Sequence, residues 1–187
     1  MKTLYPPQAK IDAMDDLPHE DVKLIVVHHS ATPMNTTVQS IYDYHVNVRG
    51  WLGGGYHFCI EPNGTVTQMR PTNKVGSHCP TKGTNFKSIG CCFIGNYEAG
   101  DKVTPQAWSA FSELARTLFA EFGLDESHIT YHSACGGQTE CPGDNLIEQL
   151  KQPLAPKVEV DDTHTCSLKD FSTGELVDEL SVRIKAL

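Results

Sequence analysis

Residues 22–27, Val-Lys-Leu-Ile-Val-Val, form a nearly continuous apolar run that is rich in β-branched side chains. A run without polar alternation is typical of a strand that is buried on both faces, so it requires other layers above and below the sheet. The run ends at His28, His29 and Ser30. Because loops begin on a rigid support where a central strand ends, these polar residues are candidate ligands.

Other segments predict both strands and helices. A β-hairpin is predicted because two strand-like runs flank the turn Pro62-Asn63-Gly64. The predicted strands span residues 22–27, 56–60, 65–69, 88–95 and 128–131. The predicted helices run from Thr36 or Thr37 to about Arg49, from Thr104-Pro105 to Gly123 and over residues 142–150. Together they predict an α+β (mixed α/β) fold with a central mixed β-sheet flanked by helices.

The 187 residues suit one domain with an appendage. We expect an N-terminal lead-in at residues 1–21, the main domain at 22–153 and a C-terminal tail at 154–187. In the tail, the capping box at residues 172–175 precedes Leu176, Leu180 and Ile184 at helical spacing. This predicted amphipathic helix either folds back on the domain or forms an interface with a protein partner.

Composition argues against several classes of function. The net charge of −8 and the absence of a long Lys/Arg run disfavour nucleic acid as a partner. No run approaches the ~18 apolar residues of a membrane span. The N-terminus lacks the apolar segment of a signal peptide, so we expect a cytoplasmic protein unless another protein releases it. Seven cysteines without an export signal favour free thiols or metal ligands over disulfides.

Residues 131–143 hold two side chains suited to zinc. His132 and Cys141 lie nine positions apart and are joined by a Gly-rich loop. The pair at His28 and His29 is the obvious source of a third ligand. Three protein ligands leave a fourth zinc position for water, which is the arrangement of a hydrolytic site. The spacing leaves open whether Cys135 or Cys141 supplies the sulfur.

Five motifs occur in a familiar order: Val-Val-His-His-Ser-Ala-Thr at 26–32, Gly-Gly-Tyr-His-Phe at 54–58, Val-Gly-Ser-His at 75–78, the segment 85–90, and Thr-Glu-Cys-Pro-Gly at 139–143. They resemble the zinc-dependent N-acetylmuramoyl-L-alanine amidases of the type-2 amidase and peptidoglycan-recognition-protein family, especially its T7 lysozyme-like branch. The resemblance covers about residues 22–150. It implies a zinc groove on one face of the sheet and hydrolysis of the amide that joins N-acetylmuramic acid to L-alanine in peptidoglycan.

The resemblance also implies a ligand set for Zn²⁺, consisting of His28, His132 and Cys141. Cys135 then falls in a loop between ligands, and His29 lies beside the metal without binding it. Some recycling amidases of the wider family use a glutamate in the strand that matches residues 91–94. No carboxylate is present there in this chain, so the recycling-type mechanism is disfavoured.

The resemblance further implies that Tyr56 and Thr139 are catalytic, as donors of hydrogen bonds to the metal-bound water or to the carbonyl oxygen. Thr139 stands where the T7-type enzymes have lysine. His78 and Asn85 lie where the groove of the family is lined, and we expect them to contact substrate. A structural role for His78 is an equal alternative.

We therefore expect a peptidoglycan amidase, a phage or prophage endolysin that is released to act on the cell wall. The second hypothesis is a non-catalytic peptidoglycan-recognition module. Non-catalytic relatives typically lose the cysteine ligand, so the presence of Cys141 favours the enzyme. The third is a zinc-stabilised protein that binds a partner through its C-terminal helix.

Overall fold

A six-stranded mixed β-sheet forms the centre of the computed structural model, which describes residues 1–157. The strand order is β1-β4-β3-β5-β2-β6, where the strands are β1 (Lys2–Thr3), β2 (Leu24–His29), β3 (Phe58–Ile60), β4 (Val66–Gln68), β5 (Ser88–Phe93) and β6 (Ile129–Tyr131). The helices are α1 (Gln8–Asp12), α2 (Val38–Asp43), α3 (Pro105–Phe122) and α4 (Asp144–Leu150). The predicted mixed sheet flanked by helices is confirmed.

Strand β2 is an inner strand of this sheet. It pairs in parallel with β5 on one side and with β6 on the other. Five of its six residues are buried, as a strand that is covered on both faces requires. The predicted hairpin is also present, because β3 and β4 pair antiparallel.

Helix α3 covers one face of the sheet. Its start follows from Thr104, whose Oγ1 accepts a hydrogen bond from the amide of Ala107, and from proline at the first helical position. Gly123 ends the helix in the left-handed region at φ 66°. Its apolar side packs on the sheet, and Phe111 contacts Phe93 at 5.3 Å between ring centroids. This packing forms the larger part of the core.

Helix α2 covers the other face, where a smaller apolar cluster contains Val38, Ile41, Cys59, Cys92 and Ile94. Thr37 caps α2 by accepting a hydrogen bond from the amide of Ser40. A π-helical turn at Tyr44–Val48 continues the chain from α2. The metal-ligand candidate His28 lies on the α2 side of the sheet, since side chains alternate between faces along a strand.

The first residues of the chain take part in the sheet, because β1 pairs with β4 at its edge. Leu17, which follows α1, is buried in the core. The connection between β4 and β5 contains a 3₁₀-helical segment at Thr81–Lys87, which is kinked at Lys82 and Gly83 and has no apolar periodicity to reveal it. Between residues 1 and 157, no helix combines the length and the apolar character that crossing a membrane requires. The predicted C-terminal amphipathic helix lies outside the described residues.

We predict that Phe111→Ala lowers the free energy of unfolding by about 3–5 kcal/mol, because Phe111 is fully buried and its removal leaves a cavity. Phe86→Ala is the matched control, since Phe86 is 56% exposed and its loss should change stability by less than about 0.5 kcal/mol. Urea denaturation measures both variants. Equal losses in the two would contradict the assignment of Phe111 to the core.

Candidate metal centre

The pairing of β2 with β6 brings two histidines together. Val27 lies opposite Tyr131 in this parallel pair, so the next residue of β2, His28, and the first residue after β6, His132, lie side by side at the same end of the two strands. Their ring centroids are 4.7 Å apart. The two side chains are 104 positions apart in the sequence, and only the strand register makes them neighbours.

Cys141 reaches the same point through three hydrogen bonds. The amide of Ser133 donates to the carbonyl of Cys141 at 2.8 Å, and the amide of Cys141 donates to Oγ1 of Thr139 at 3.2 Å. The amide of His29 points at Sγ of Cys141 at 3.5 Å. These contacts hold the sulfur at the end of β2.

One possible metal-binding cluster exists among the described residues, and it consists of His28, His132 and Cys141. Their ligand atoms lie within 4.8 Å of one another. Nδ1 of His28 faces the sulfur of Cys141 at 3.7 Å. The cluster does not include Cys135, so the geometry favours Cys141 of the two cysteines that the spacing leaves open.

The protonation states of the cluster suit metal binding. Burial, followed by the nearby His78 and His132 rings, lowers the pKa of His28 well below its usual value, and burial also lowers the pKa of His132. Both imidazoles are therefore neutral and have a free lone pair. Burial raises the pKa of the Cys141 thiol to about 11, although the amide of His29 opposes the shift. Two imidazole nitrogens and one sulfur form a donor set that zinc prefers.

Tyr56 lies beside this cluster, with its ring centroid 5.1 Å from that of His28. Burial, followed by the thiols of Cys92 and Cys141, raises the pKa of the Tyr56 phenol well above its usual value. The phenol is therefore protonated at neutral pH and is able to donate a hydrogen bond.

An open cleft of ≈ 490 Å³ is lined by two members of the cluster, His132 and Cys141, and by Tyr56 and Thr139, whereas His28 is buried. Oγ1 of Thr139 accepts the amide hydrogen of Cys141, which leaves its own hydrogen available to the cleft. Ser30 and Tyr56 also line a second groove, of ≈ 450 Å³, along α2. Glu98 and Glu140 also line the cleft. Glu98 lies in none of the five motifs, and Glu140 lies within the motif at 139–143 without a role that the motif assigns to it.

The structure places His78 behind His28 and away from the cleft. Its side chain is buried, and its Nδ1 lies 3.0 Å from Nε2 of His28. Oδ1 of Asn85 accepts hydrogen bonds from the amides of His78 and Cys79 at 3.1 and 2.7 Å. Of the two roles expected for His78, this geometry favours the structural one. Substrate contact by Asn85 stays a prediction.

Comparisons with known proteins agree with this site. The sequence pattern of the family described as N-acetylmuramoyl-L-alanine amidase matches residues 18–144. The chain belongs to this family. The predicted family and the predicted class of enzyme, an N-acetylmuramoyl-L-alanine amidase, are thereby confirmed.

Individual members of the family show similarity over most of their length. The chain is 31% identical over 133 residues to peptidoglycan-recognition protein SC1a of Drosophila melanogaster. This alignment covers 67% of this chain and 70% of that protein. It is 38% identical over 109 residues to the endolysin of Escherichia phage T7, and this alignment covers 55% of this chain and 70% of the endolysin. The solved amidase LysC from Clostridium intestinale URNW superposes with a TM-score of 0.64 and 33% identity, over 81% of this chain and 95% of that one.

A buried histidine next to the site makes the stability of this amidase depend on pH. Nδ1 of His57 accepts the amide hydrogen of Gly90, and Nε2 donates to the carbonyl of Lys74, each at 2.9 Å. Burial lowers the pKa of His57 to about 4, whereas an unfolded histidine has a pKa of about 6.5. Between these values the unfolded chain binds a proton that the folded chain does not bind, so stability falls as pH decreases.

We predict that the metal-free protein loses about 2 to 3 kcal/mol of unfolding free energy between pH 7 and 4.5 from His57 alone. Urea denaturation at the two pH values, in the presence of a chelator, measures the loss. His57→Asn, compared with its own stability at pH 7, should show a smaller loss. An identical pH dependence in the variant would contradict the assignment.

Proposed function

We propose that this protein is a zinc-dependent amidase that hydrolyses the bond between the lactyl group of N-acetylmuramic acid and L-alanine in peptidoglycan. The observation that carries the proposal is the convergence of the ligand atoms of His28, His132 and Cys141 within 4.8 Å, next to an open cleft that His132 and Cys141 line. Membership of the amidase family supplies the substrate class, and the T7 endolysin relative supports action on the cell wall of a phage or prophage host.

The donor atoms of this cluster would hold Zn²⁺ through three protein ligands. Zinc in such a site polarises a carbonyl and lowers the pKa of water toward ~7. The amide of His29 stabilises the thiolate form of Cys141, and the low pKa values of His28 and His132 keep their lone pairs available. The chain therefore presents its ligands in the protonation states that binding requires, except for one thiol proton that is released on binding.

Two hydroxyl-bearing side chains, Tyr56 and Thr139, line the cleft next to the metal cluster. As the amide is attacked, negative charge develops on its oxygen, and donors aimed at that oxygen lower the barrier. We assign this role to Tyr56 and Thr139, since both line the cleft and both carry a hydroxyl group that is able to donate. With threonine at the second position, stabilisation rests on neutral donors, which are weaker than a lysine ammonium.

The test is the release of free amino groups from purified cell walls. We expect new N-terminal alanine, identified by mass spectrometry of the released peptides, and we expect a chelator to abolish the release and added zinc to restore it. A protein that binds zinc and cell walls but releases nothing would be the recognition module instead. Release that is insensitive to chelator would contradict zinc dependence.

We predict that Cys141→Ser lowers both zinc affinity and amidase activity. Loss of a residue that only hydrogen-bonds to a metal ligand typically lowers metal affinity about 10–100-fold, and we expect a larger loss here because the ligand itself is removed. Cys135→Ser is the matched control, because Cys135 is outside the metal cluster of the described chain. Competition with a chromophoric chelator measures the affinity. Retained zinc binding in Cys141→Ser would refute the ligand assignment.

We predict that Tyr56→Phe keeps zinc affinity within about twofold and lowers kcat by about 10²–10³, as is typical for the loss of a donor to a developing oxyanion. Tyr44→Phe is the control, because Tyr44 lines only the groove along α2 and is 50% exposed. Steady-state kinetics on solubilised peptidoglycan measures both. Unchanged turnover in Tyr56→Phe would remove this residue from the mechanism.

A further inference from the structure

His78 makes a contact that neither substrate binding nor metal ligation explains. We propose that His78 is a positioning residue for the metal centre: its Nδ1 accepts the Nε2 hydrogen of His28 and thereby holds His28 with Nδ1 turned to the metal. The identity of the metal rests on the proposed function. The contact itself rests on the geometry of the two rings.

The two nitrogens of His28 have different surroundings. Nδ1 faces Sγ of Cys141 at 3.7 Å, and Nε2 faces Nδ1 of His78 at 3.0 Å. A metal on Nδ1 requires the ring proton on Nε2, and Nδ1 of His78 is the acceptor within hydrogen-bond distance. The rings are nearly perpendicular, at 82°, with centroids 4.9 Å apart. A metal-bound imidazole commonly donates to a carboxylate, a carbonyl or water, so a second imidazole in this position is a distinctive feature of the site.

Two glycines make the space for the His78 ring. A Cβ at Gly76 would lie 2.4 Å from Cδ2 of His78, and a Cβ at Gly90 would lie 2.5 Å from the same atom. Neither position tolerates a side chain while the ring stays in place. The requirement for small residues at 76 and 90 therefore follows from the position of one imidazole.

The main chain at His78 is also fixed. The side-chain oxygen of Asn85 accepts hydrogen bonds from two consecutive amides, those of His78 and Cys79. Asn85 thus acts on the ring through the backbone, and it also lines a surface groove. The segments at 75–78 and 85–90 together form the support for one ring.

The surroundings of Nε2, the second ring nitrogen of His78, indicate why a histidine is buried at this position. Nε2 of His78 is buried, and among the described residues no partner meets it at full hydrogen-bond geometry, although the backbone of Ser88 lies near the imidazole. A buried polar atom without a partner costs about 1–3 kcal/mol, so a histidine here is unfavourable for stability alone. The contact of Nδ1 with His28 accounts for its presence, because a site that holds a ligand in one tautomer gains metal affinity in return.

The first test compares His78→Leu with His78→Asn. Leucine removes the acceptor, whereas the amide oxygen of asparagine lies about where Nδ1 lies and restores it. We expect His78→Leu to bind zinc about 10–100-fold more weakly than the wild type, which is the usual effect of removing a residue that hydrogen-bonds to a metal ligand. We expect His78→Asn to bind zinc within about threefold of the wild type. Chelator competition measures affinity, and circular dichroism verifies folding. A folded His78→Leu variant with wild-type zinc affinity would overturn the proposal.

Kinetics separates this role from substrate contact. A positioning residue lowers zinc affinity in the absence of substrate, whereas a substrate contact raises KM and leaves zinc affinity unchanged. Asn85→Ala should lower zinc affinity in the same direction as His78→Leu, because it frees the two amides. Variants whose only defect is a raised KM would assign both residues to the substrate groove and refute the positioning role.

A second measurement needs no variant. In zinc-loaded, ¹⁵N-labelled wild-type protein, we expect a scalar coupling across the hydrogen bond between Nε2 of His28 and Nδ1 of His78. Its absence, with zinc bound, would overturn the proposal even if the His78 variants fail to fold. Zinc binding with this coupling but without release of peptide from cell walls would refute the proposed function and leave the role of His78 intact.

Discussion

The parallel register between β2 and β6 determines how the metal-ligand candidates are placed relative to one another. It places His28 and His132 side by side at the same end of the two strands, and Cys141 reaches them by hydrogen bonds from Ser133 and His29. A shift of one residue in this pairing would turn the side chains of one strand to the opposite face. The pairing of β2 with β5, from Leu24 opposite Ser88 to His29 opposite Phe93, and its pairing with β6 define this register, so the pairing of the core strands also fixes the geometry of the two histidines.

Burial gives this site its chemistry and also costs stability. It lowers the pKa values of His28, His57 and His78, and raises those of Cys141 and Tyr56. Each shift favours the neutral form, which for imidazole is the form that binds a metal and for phenol is the form that donates a hydrogen bond. The buried Nε2 of His78 has no partner at full hydrogen-bond geometry within residues 1–157. A bound cation would offset part of this cost, because metal binding adds directly to the free energy of folding.

Local patterns in the sequence predict much of the fold. The apolar run of β2, the turn of the β3–β4 hairpin, and the threonine cap and glycine end of α3 are all encoded within a few residues of where they occur. The edge strand β1 and the 3₁₀-helical segment Thr81–Lys87 have no such signal, since one has only two residues and the other lacks apolar periodicity.

The candidate site was predictable only in part. Spacing pointed to a histidine and a cysteine but left Cys135 and Cys141 equivalent, and the resemblance to known amidases was needed to choose between them. The contact between His28 and His78 could not be predicted, because it joins residues 50 positions apart that are brought together by packing. A histidine in a groove motif has the same appearance in the sequence whether it faces substrate or another histidine.

X-ray absorption at the zinc edge tests the central claim most directly, since it reports the atoms around the metal in the intact protein. For zinc bound by His28, His132 and Cys141, we expect two nitrogen neighbours at about 2.0–2.1 Å, one sulfur at about 2.3 Å and one further light atom. A spectrum without sulfur, or with two sulfur neighbours, would contradict this ligand set and the mechanism that depends on it.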